Sequence, residues 1–592
     1  MIRYLFIIIL LSISQCSFSS HQSEATLGFA SYIFSSNMTL SMGPDPIFFW
    51  GEATPGLKIS LSIQDRGTWI TRAFSNGTWL IEVDPQNIAY NLTVALSAVV
   101  PNITTGVDEI WLMQELHNVA IGRVFLCSGQ SNMEMSVNAA CVNGKDQCTR
   151  EIQDSINYPY LRMFTVRHDN SSEPLEYLRS PPGISPTNWL VSEPSSFYPD
   201  YPEKGHFAGM EYFSATCYFF GRELYKKWNG TVPIGLISAT WGGTRIQSWT
   251  RIEVMKSECD YPDTNLDEFA HDNEPQFQTL LRKERRAQTS IETISTTWDR
   301  DLRGGESIPD ASLYNAMIHP LRHMSLTGFA WYQGEANCDE AELYKCLFPT
   351  MITDWRQQFV NGANMPFVFV QLAPHTDTRR DTRVFENVHF EDIRYAQAKG
   401  GLGRVNNTFM AVALDLGDAL SPLSPIHPRR KQQVGSRLAM GMNNLLLPDN
   451  RNLHENSVDT GPLLLSYGIN YEQEQNTIVF LTFDPLTSKG LFRNGGADCD
   501  KIGPEGPWCC EGNSPFEILM QHGTEDDCLN TIWLPMDPDT YSIDIESSQI
   551  KVRIDHRGSG RAIRLGLHWR SFPECILYNE QGLPAPPFVI DL

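Results

Sequence analysis

Arg123-Val124-Phe125-Leu126-Cys127-Ser128-Gly129-Gln130-Ser131-Asn132-Met133-Glu134 is the stretch whose reading decides the fold. Residues 123–126 form a short strand, and Ser128 to Ser131 a polar turn directly after it. The same pattern recurs outward along the chain. Cys217, Phe220, Leu224 and Trp228 mark one face of a helix. Ile234 to Ala239 is the next strand, closed by the turn Gly242-Gly243. Gly328 to Tyr332 is a third, running into Gln333-Gly334-Glu335, and Leu343, Leu347, Met351, Trp355 and Phe359 mark the helix that follows. Phe367 to Leu372 and Met410 to Leu414 are two more strands. Pro428, at the first helical position, is expected to open a helix carrying Val434 and Leu438. Alternating strands and helices predict a parallel α/β sheet. In such sheets functional loops gather at the carboxyl ends of the strands. Ser131, Gly242, Gln333 and His427 all follow predicted strands, so they can converge.

The flanks read differently. From about 25 to 115, Leu57, Ile59, Leu61 and Ile63 alternate with Lys58, Ser60 and Ser62, the period of a half-buried strand. Pro55-Gly56 and Asn76-Gly77 mark turns, and a small β-sandwich is expected. Beyond about 446, Thr477 to Phe483 and Ile550, Val552 and Ile554 indicate a second β-rich domain. The organisation expected is a leader over 1–20, a β-sandwich over 21–115, an α/β domain over 116–445 and a β-rich domain over 446–592. Residues 251–310 are charged and aperiodic, and are expected to be an insertion. Residues 495–535, rich in Gly, Cys and Asp, are expected to be a long loop.

A chain of 592 residues exceeds one core. With 41% hydrophobic and 19% charged residues it has a globular composition. Arg3 and the apolar run Tyr4 to Ile13 read as a secretory signal, too short to span a bilayer. No later stretch is long enough to cross a membrane. Sequons begin at Asn37, Asn76, Asn91, Asn102, Asn170, Asn229 and Asn406. Twelve cysteines follow Cys16, and disulfides suit an oxidising compartment. Cys141 with Cys148 and Cys338 with Cys346 are candidate short-loop bridges. Cys499, Cys509, Cys510 and Cys528 are expected to staple a loop-rich insert. A net charge of −23 excludes the basic face that nucleic acid requires.

Four segments carry the chemistry: Cys127 to Glu134, Trp241-Gly242-Gly243-Thr244-Arg245 through Trp249, Trp331 to Asn337, and Ser424-Pro425-Ile426-His427 through Lys431. Together they resemble the SGNH hydrolase superfamily, and more closely the sialate O-acetylesterase family, relatives of acetylxylan esterases. The late stretches Leu577 to Asn579 and Gly582 to Phe588 share the resemblance. It implies an SGNH-type parallel-sheet hydrolase domain flanked by β-sandwich-like domains. It also implies a serine esterase acting on O-acetylated sialoglycans or free sialic acid, lysosomal or secreted, with no cofactor.

A serine hydroxyl needs a base within hydrogen-bond reach. Ser131 is the expected nucleophile and His427 its base. G-x-S-x-G is absent around Ser131, against an α/β-hydrolase elbow. The resemblance implies oxyanion donors at the Ser131 N–H, at Gly242 or Gly243, and at Gln333. Asn337 is a second amide candidate, and Glu335 orients the loop or contacts a substrate hydroxyl. Arg245 suits a bidentate carboxylate contact with sialic acid. No metal is expected, because no cluster of ligands stands at metal spacing. Many SGNH enzymes place an Asp two or three residues before the histidine; here Pro425 and Ser424 stand there. The nearest upstream acids are Asp415 and Asp418. The reading favoured is a Ser-His dyad, its imidazole oriented by Ser424 or a backbone carbonyl. Two rival readings are an esterase for neutral acetylated glycans such as xylan, and a glycan-binding protein with a dead hydrolase core.

Overall fold

The computed structural model describes residues 26–101, 108–179, 188–197, 213–262, 308–375, 390–402, 404–447, 459–472, 476–495, 510, 513–521, 531–555 and 560–592. The strand that enters Ser131 is far longer than its apolar core suggests: β1 runs Asp108–Gly129. With β2 (Leu161–Thr165), β3 (Ile234–Thr240), β4 (Gly328–Tyr332), β5 (Phe367–Gln371) and β6 (Thr408–Val412) it forms the central sheet. Their spatial order is β2-β3-β1-β4-β5-β6, parallel throughout. β3, β4 and β5 are buried along their whole length, which explains their continuous apolar runs. The strand next in sequence after β3 lies on the other side of β1. That reversal makes the carboxyl end of β1 a topological switch point, where open α/β sheets bind ligands.

Helices α1 (Ser131–Glu134), α2 (Ala215–Lys227), α3 (Ala341–Gln358), α4 (Phe390–Gly401) and α5 (Lys431–Leu446) cover the sheet, α2 packing on α5 and α3 on α4. The expected helix start at Pro428 is displaced to Lys431. Residues 428–430 are held out of the helix instead. Arg429 bonds Asp418 through its backbone N–H and guanidinium, and Arg430 Nε bonds the Gly417 carbonyl.

The two flanks attach differently. The first half of β1 pairs antiparallel with the strand Ala89–Pro101, and Ala120 to Gly122 pair with Thr39–Ser41. The boundary expected at 115/116 therefore falls inside one unbroken strand. The N-terminal sheets and the α/β layer share one hydrophobic core, from Ile59 and Trp79 to Phe125 and Trp331. The C-terminal sheets enclose a core of their own, with Val479, Leu481, Phe516, Val552 and Leu565.

Cys141–Cys148 is bridged as expected. Cys346 pairs with Cys259 instead of Cys338, which is free. The helix Ile252–Cys259 packs on α3 and brings those two Cα atoms to 5.8 Å, within disulfide reach. Cys127–Cys217 ties β1 to α2, and Cys510–Cys575 lies in the C-terminal region. Cys499, Cys509 and Cys528 lie outside the described residues, as do the proposed leader and most of the 251–310 insertion. Within the expected 495–535 loop, Phe516–Gln521 and Thr531–Pro535 are paired strands, anchored by buried Phe516 and Ile518.

Candidate active site

β1 ends at Gly129, whose φ of 139° lets the chain turn against β4. A side chain there would overlap the Tyr332 carbonyl, so this is a position that requires glycine. The turn sets Ser131 at the start of α1, 4% exposed. The turn is pinned from α2: the Ser214 hydroxyl donates to the Met133 carbonyl while its oxygen caps Cys217 N–H.

His427 arrives from the loop after β6. Its Nε2 lies 2.8 Å from Ser131 Oγ, across 296 residues of sequence. Its Nδ1 lies 2.7 Å from the Leu423 carbonyl oxygen. Ser424, between them, has φ of 80°, a left-handed conformation that costs roughly 1–3 kcal/mol for a non-glycine residue. The hydroxyl of Ser424 is buried without a hydrogen-bond partner among the described residues. Among the described residues the group on Nδ1 is thus a backbone carbonyl, and Ser424 Oγ does not meet the ring. Both upstream acids are engaged by arginines. Asp415 meets Arg437 at 2.6 and 2.7 Å, and Asp418 meets Arg429 at 2.5 and 2.9 Å. Burial alone would raise Asp418, but Arg429 outweighs it and holds that carboxyl below the usual range.

Withdrawal from water pushes His427 down to about 4; the Leu423 carbonyl opposes that and the neighbouring Lys431 adds to it. At neutral pH Nδ1 carries the proton donated to Leu423, leaving Nε2 as the acceptor facing Ser131.

The 242 backbone passes close over the serine. A Cβ on Gly242 would come 3.3 Å from Ser131 Cβ and 3.0 Å from Glu134 Oε2. Neither the Ser131 N–H nor the Gly242 N–H has an acceptor among the described residues. Gly243 has φ of 74°, and a Cβ there would meet nothing within 4 Å. Gln333 is fully buried, and both of its amide hydrogens are used elsewhere. They go to the Thr244 carbonyl at 3.1 Å and Asn337 Oδ1 at 2.8 Å. Asn337 also accepts from Ile246 N–H and donates to Gln247 Oε1. Gln333 and Asn337 therefore clamp the loops after β3 and β4 to each other, and the expected aim of Gln333 at an oxyanion is not met. Arg245 stands at the rim, 43% exposed, 3.0 Å from Glu340 and 3.8 Å from Asp339.

The sequence reading allowed a backbone carbonyl as the group that orients the imidazole, but not which one, because the Leu423 carbonyl has no side-chain signature. Two further features escaped it. Asn132 and Lys431 stood inside the quoted motifs: Asn132 Nδ2 donates to Glu335 Oε1 at 2.5 Å and to the Ile426 carbonyl at 2.8 Å. Glu134 Oε1 lies 3.1 Å from His168 Nε2, and the His168 ring stacks on Trp241 at 4.4 Å. Among the described residues no group of three or more His, Cys, Asp or Glu side chains is placed to hold a metal.

A carbohydrate esterase family model, sialic acid-specific acetylesterase, matches residues 289–443. Sialate O-acetylesterase of Mus musculus is 30% identical over 586 residues, covering 95% of this chain and 94% of its own. That of Homo sapiens is 29% identical over 581 residues, with 95% and 92% covered. The crystal structure of a carbohydrate acetylesterase from Xanthomonas citri superposes with a TM-score of 0.65 at 22% identity. It covers 96% of this chain and 99% of that one, a likeness of fold.

Proposed function

The chain belongs to the sialate O-acetylesterase family, and on that premise we propose that it hydrolyses O-acetyl esters of sialic acids with Ser131 as nucleophile and His427 as general base. The observation that carries the reading is the 2.8 Å approach of His427 Nε2 to Ser131 Oγ. Ser131 Oγ attacks the acetyl carbonyl carbon as its proton passes to His427 Nε2. The carbonyl oxygen becomes an oxyanion, which the N–H groups of Ser131 and Gly242 receive. The intermediate collapses, the C–O bond to the sugar breaks, and His427 returns the proton to the leaving oxygen. A water molecule, deprotonated by the same imidazole, then releases acetate and restores Ser131. The Leu423 carbonyl fixes the tautomer throughout.

The parallel sheet is read as an SGNH-type core between β-sandwich-like flanks, and the destination as lysosomal or secreted. Arg245 is read as the contact for the sialate carboxylate, which would exchange with Glu340. The test is Ser131→Ala, with acetate release measured on O-acetylated sialic acid and on acetylxylan side by side. A folded variant is expected to lose at least about a thousandfold in kcat. Near-normal turnover by that variant sinks the serine assignment, and faster release from xylan by the parent protein favours the neutral-glycan reading.

A further inference from the structure

The dyad leaves one charged group beside it without a role. Lys431 begins α5 four residues after His427, and its side chain is completely buried. A buried lysine is costly unless it is paired and hydrogen-bonded. Its Nζ donates to Asn132 Oδ1 at 2.5 Å and to the Pro428 carbonyl at 2.6 Å. Asn132 passes the contact on, donating to Glu335 Oε1 and to the Ile426 carbonyl. Asn132 is the residue after the nucleophile, and Ile426 and Pro428 flank the base. One ammonium and one amide therefore bolt the serine turn to the histidine loop at both sides of His427. Across the amide stands the carboxyl of Glu335, which burial raises above its usual range while the Asn132 hydrogen bond and Lys431 favour its charged form; its Oε2 has no hydrogen-bond partner among the described residues.

We propose that Lys431, in its charged form, is a positioning residue for the esterase reaction. Through Asn132 and the Pro428 carbonyl it holds His427 Nε2 on Ser131 Oγ, with Glu335 as countercharge. This rests on the Ser131–His427 reading above. A group that only filled space would serve equally well neutral. Lys431 is not so placed, because its partners are two oxygens and, beyond the amide, a carboxylate. The groups that face it are Glu335 from the loop after β4, Asp418 from the loop after β6, His427 on its own loop, and the Tyr332 ring at 5.4 Å. Burial lowers Lys431 to about 7, with Glu335 and Asp418 pulling the other way. The sign follows: the ammonium is present below about 7 and is lost as pH rises through that value. Neutral His427 is present above about 4. Activity is therefore expected to rise as pH passes about 4, where His427 becomes neutral, and to fall as it passes about 7, where Lys431 loses its charge, an optimum in acid solution.

The experiment is the pH profile of kcat/KM on O-acetylated sialic acid for the full-length protein and two variants, with folding followed by thermal melting. Lys431→Met is expected to lose roughly a hundredfold in kcat with KM little changed, the scale of a small misplacement of reacting groups. Glu335→Gln removes the countercharge without removing the lysine. Its alkaline limb is expected to move to lower pH by about one unit, because the ammonium loses the carboxylate that favours it. A purely structural role would lower the rate at every pH and leave the limb in place. An unmoved alkaline limb in Glu335→Gln, or a folded Lys431→Met within about threefold of parent kcat, overturns the proposal. Should Lys431→Met fail to fold, the Glu335→Gln profile decides alone. Ser131→Ala, run in parallel, separates the two readings. Residual acetate release there removes the dyad itself, whereas a dead Ser131→Ala beside an unmoved limb removes only the role of Lys431.

Discussion

Two buried polar clusters meet the turn that carries Ser131, and they are built from different groups. One joins Asn132, Glu335 and Lys431, a carboxyl and an amine bridged by an amide, and it touches the loops of both Ser131 and His427. The other joins the amides of Gln333, Asn337 and Gln247 across the loops after β3 and β4, and its one carboxylate, Glu340, accepts from Gln247 and Asn337 and faces the exposed Arg245 at the rim. It reaches the serine turn indirectly, through the Ala336 N–H that bonds Gln130 Oε1 at 3.2 Å. Position in the fold thus assigns different work to similar side chains. An amide whose hydrogens are consumed by its neighbours is a clamp, however well its motif suggests a catalytic donor. A charged chain of the same size can in addition be switched by protons.

The largest expected effect tests the reacting pair itself. His427→Ala removes the base and should lower kcat by at least about a thousandfold, with the melting temperature little changed. A fall of tenfold or less would mean that another group takes the serine proton. Next comes the amide clamp. Asn337→Ala leaves Ile246 N–H, a Gln333 hydrogen and Gln247 Oε1 without their partner, at a cost of about 2–4 kcal/mol in stability. Its kcat should fall only about tenfold, with the pH profile unmoved. A profile that shifted in this variant would erase the distinction between the two clusters.

Asp418→Asn is expected to act on folding rather than chemistry. It weakens a nearly buried pair with Arg429, so melting should drop by several degrees. Turnover should stay within about threefold, because the Leu423 carbonyl already orients the imidazole. In serine proteases the equivalent change at a true triad acid costs about ten-thousandfold, so a loss on that scale here would place Asp418 in a triad. The smallest effect belongs to the rim. Arg245→Ala should raise KM for O-acetylated sialic acid about five- to tenfold, the value of one exposed charged contact. KM for a neutral acetyl ester should not change, and equal shifts for both would end its role as reader of the carboxylate.

Much of this was legible beforehand, and the limits have physical causes. Five of the six core strands were read, because burial on both faces writes continuous apolar runs between turns; β2, whose short run Leu161–Thr165 is interrupted by Arg162, was not. Their functional ends followed from the rule that parallel strands present loops at one edge. Helix α5 was found, but its start was displaced because an ion pair with Asp418 and a hydrogen bond to the Gly417 carbonyl hold Arg429 and Arg430 outside it. Cys338 was paired wrongly with Cys346, because sequence proximity says nothing about which face of α3 meets the Ile252–Cys259 helix. Asn132 and Lys431 stood in plain view, but a lysine one helical turn after a histidine reads as solvated unless its burial is known.

What the sequence determined by itself is the chemistry on offer and its order. A serine after the first strand read from the sequence, glycines after the second, a Gln-Gly-Glu after the third and a histidine after the fifth are local facts. They follow from periodicity, turn residues and motif. What only the tertiary structure decided is where each polar group spends its hydrogens. Ser131 and His427 meet across 296 residues. The groups competing for every donor and acceptor around them come from other loops, so their geometry exists only after packing. For that reason the orienting acceptor is a main-chain carbonyl, the aspartates belong to arginines, and Gln333 faces Asn337.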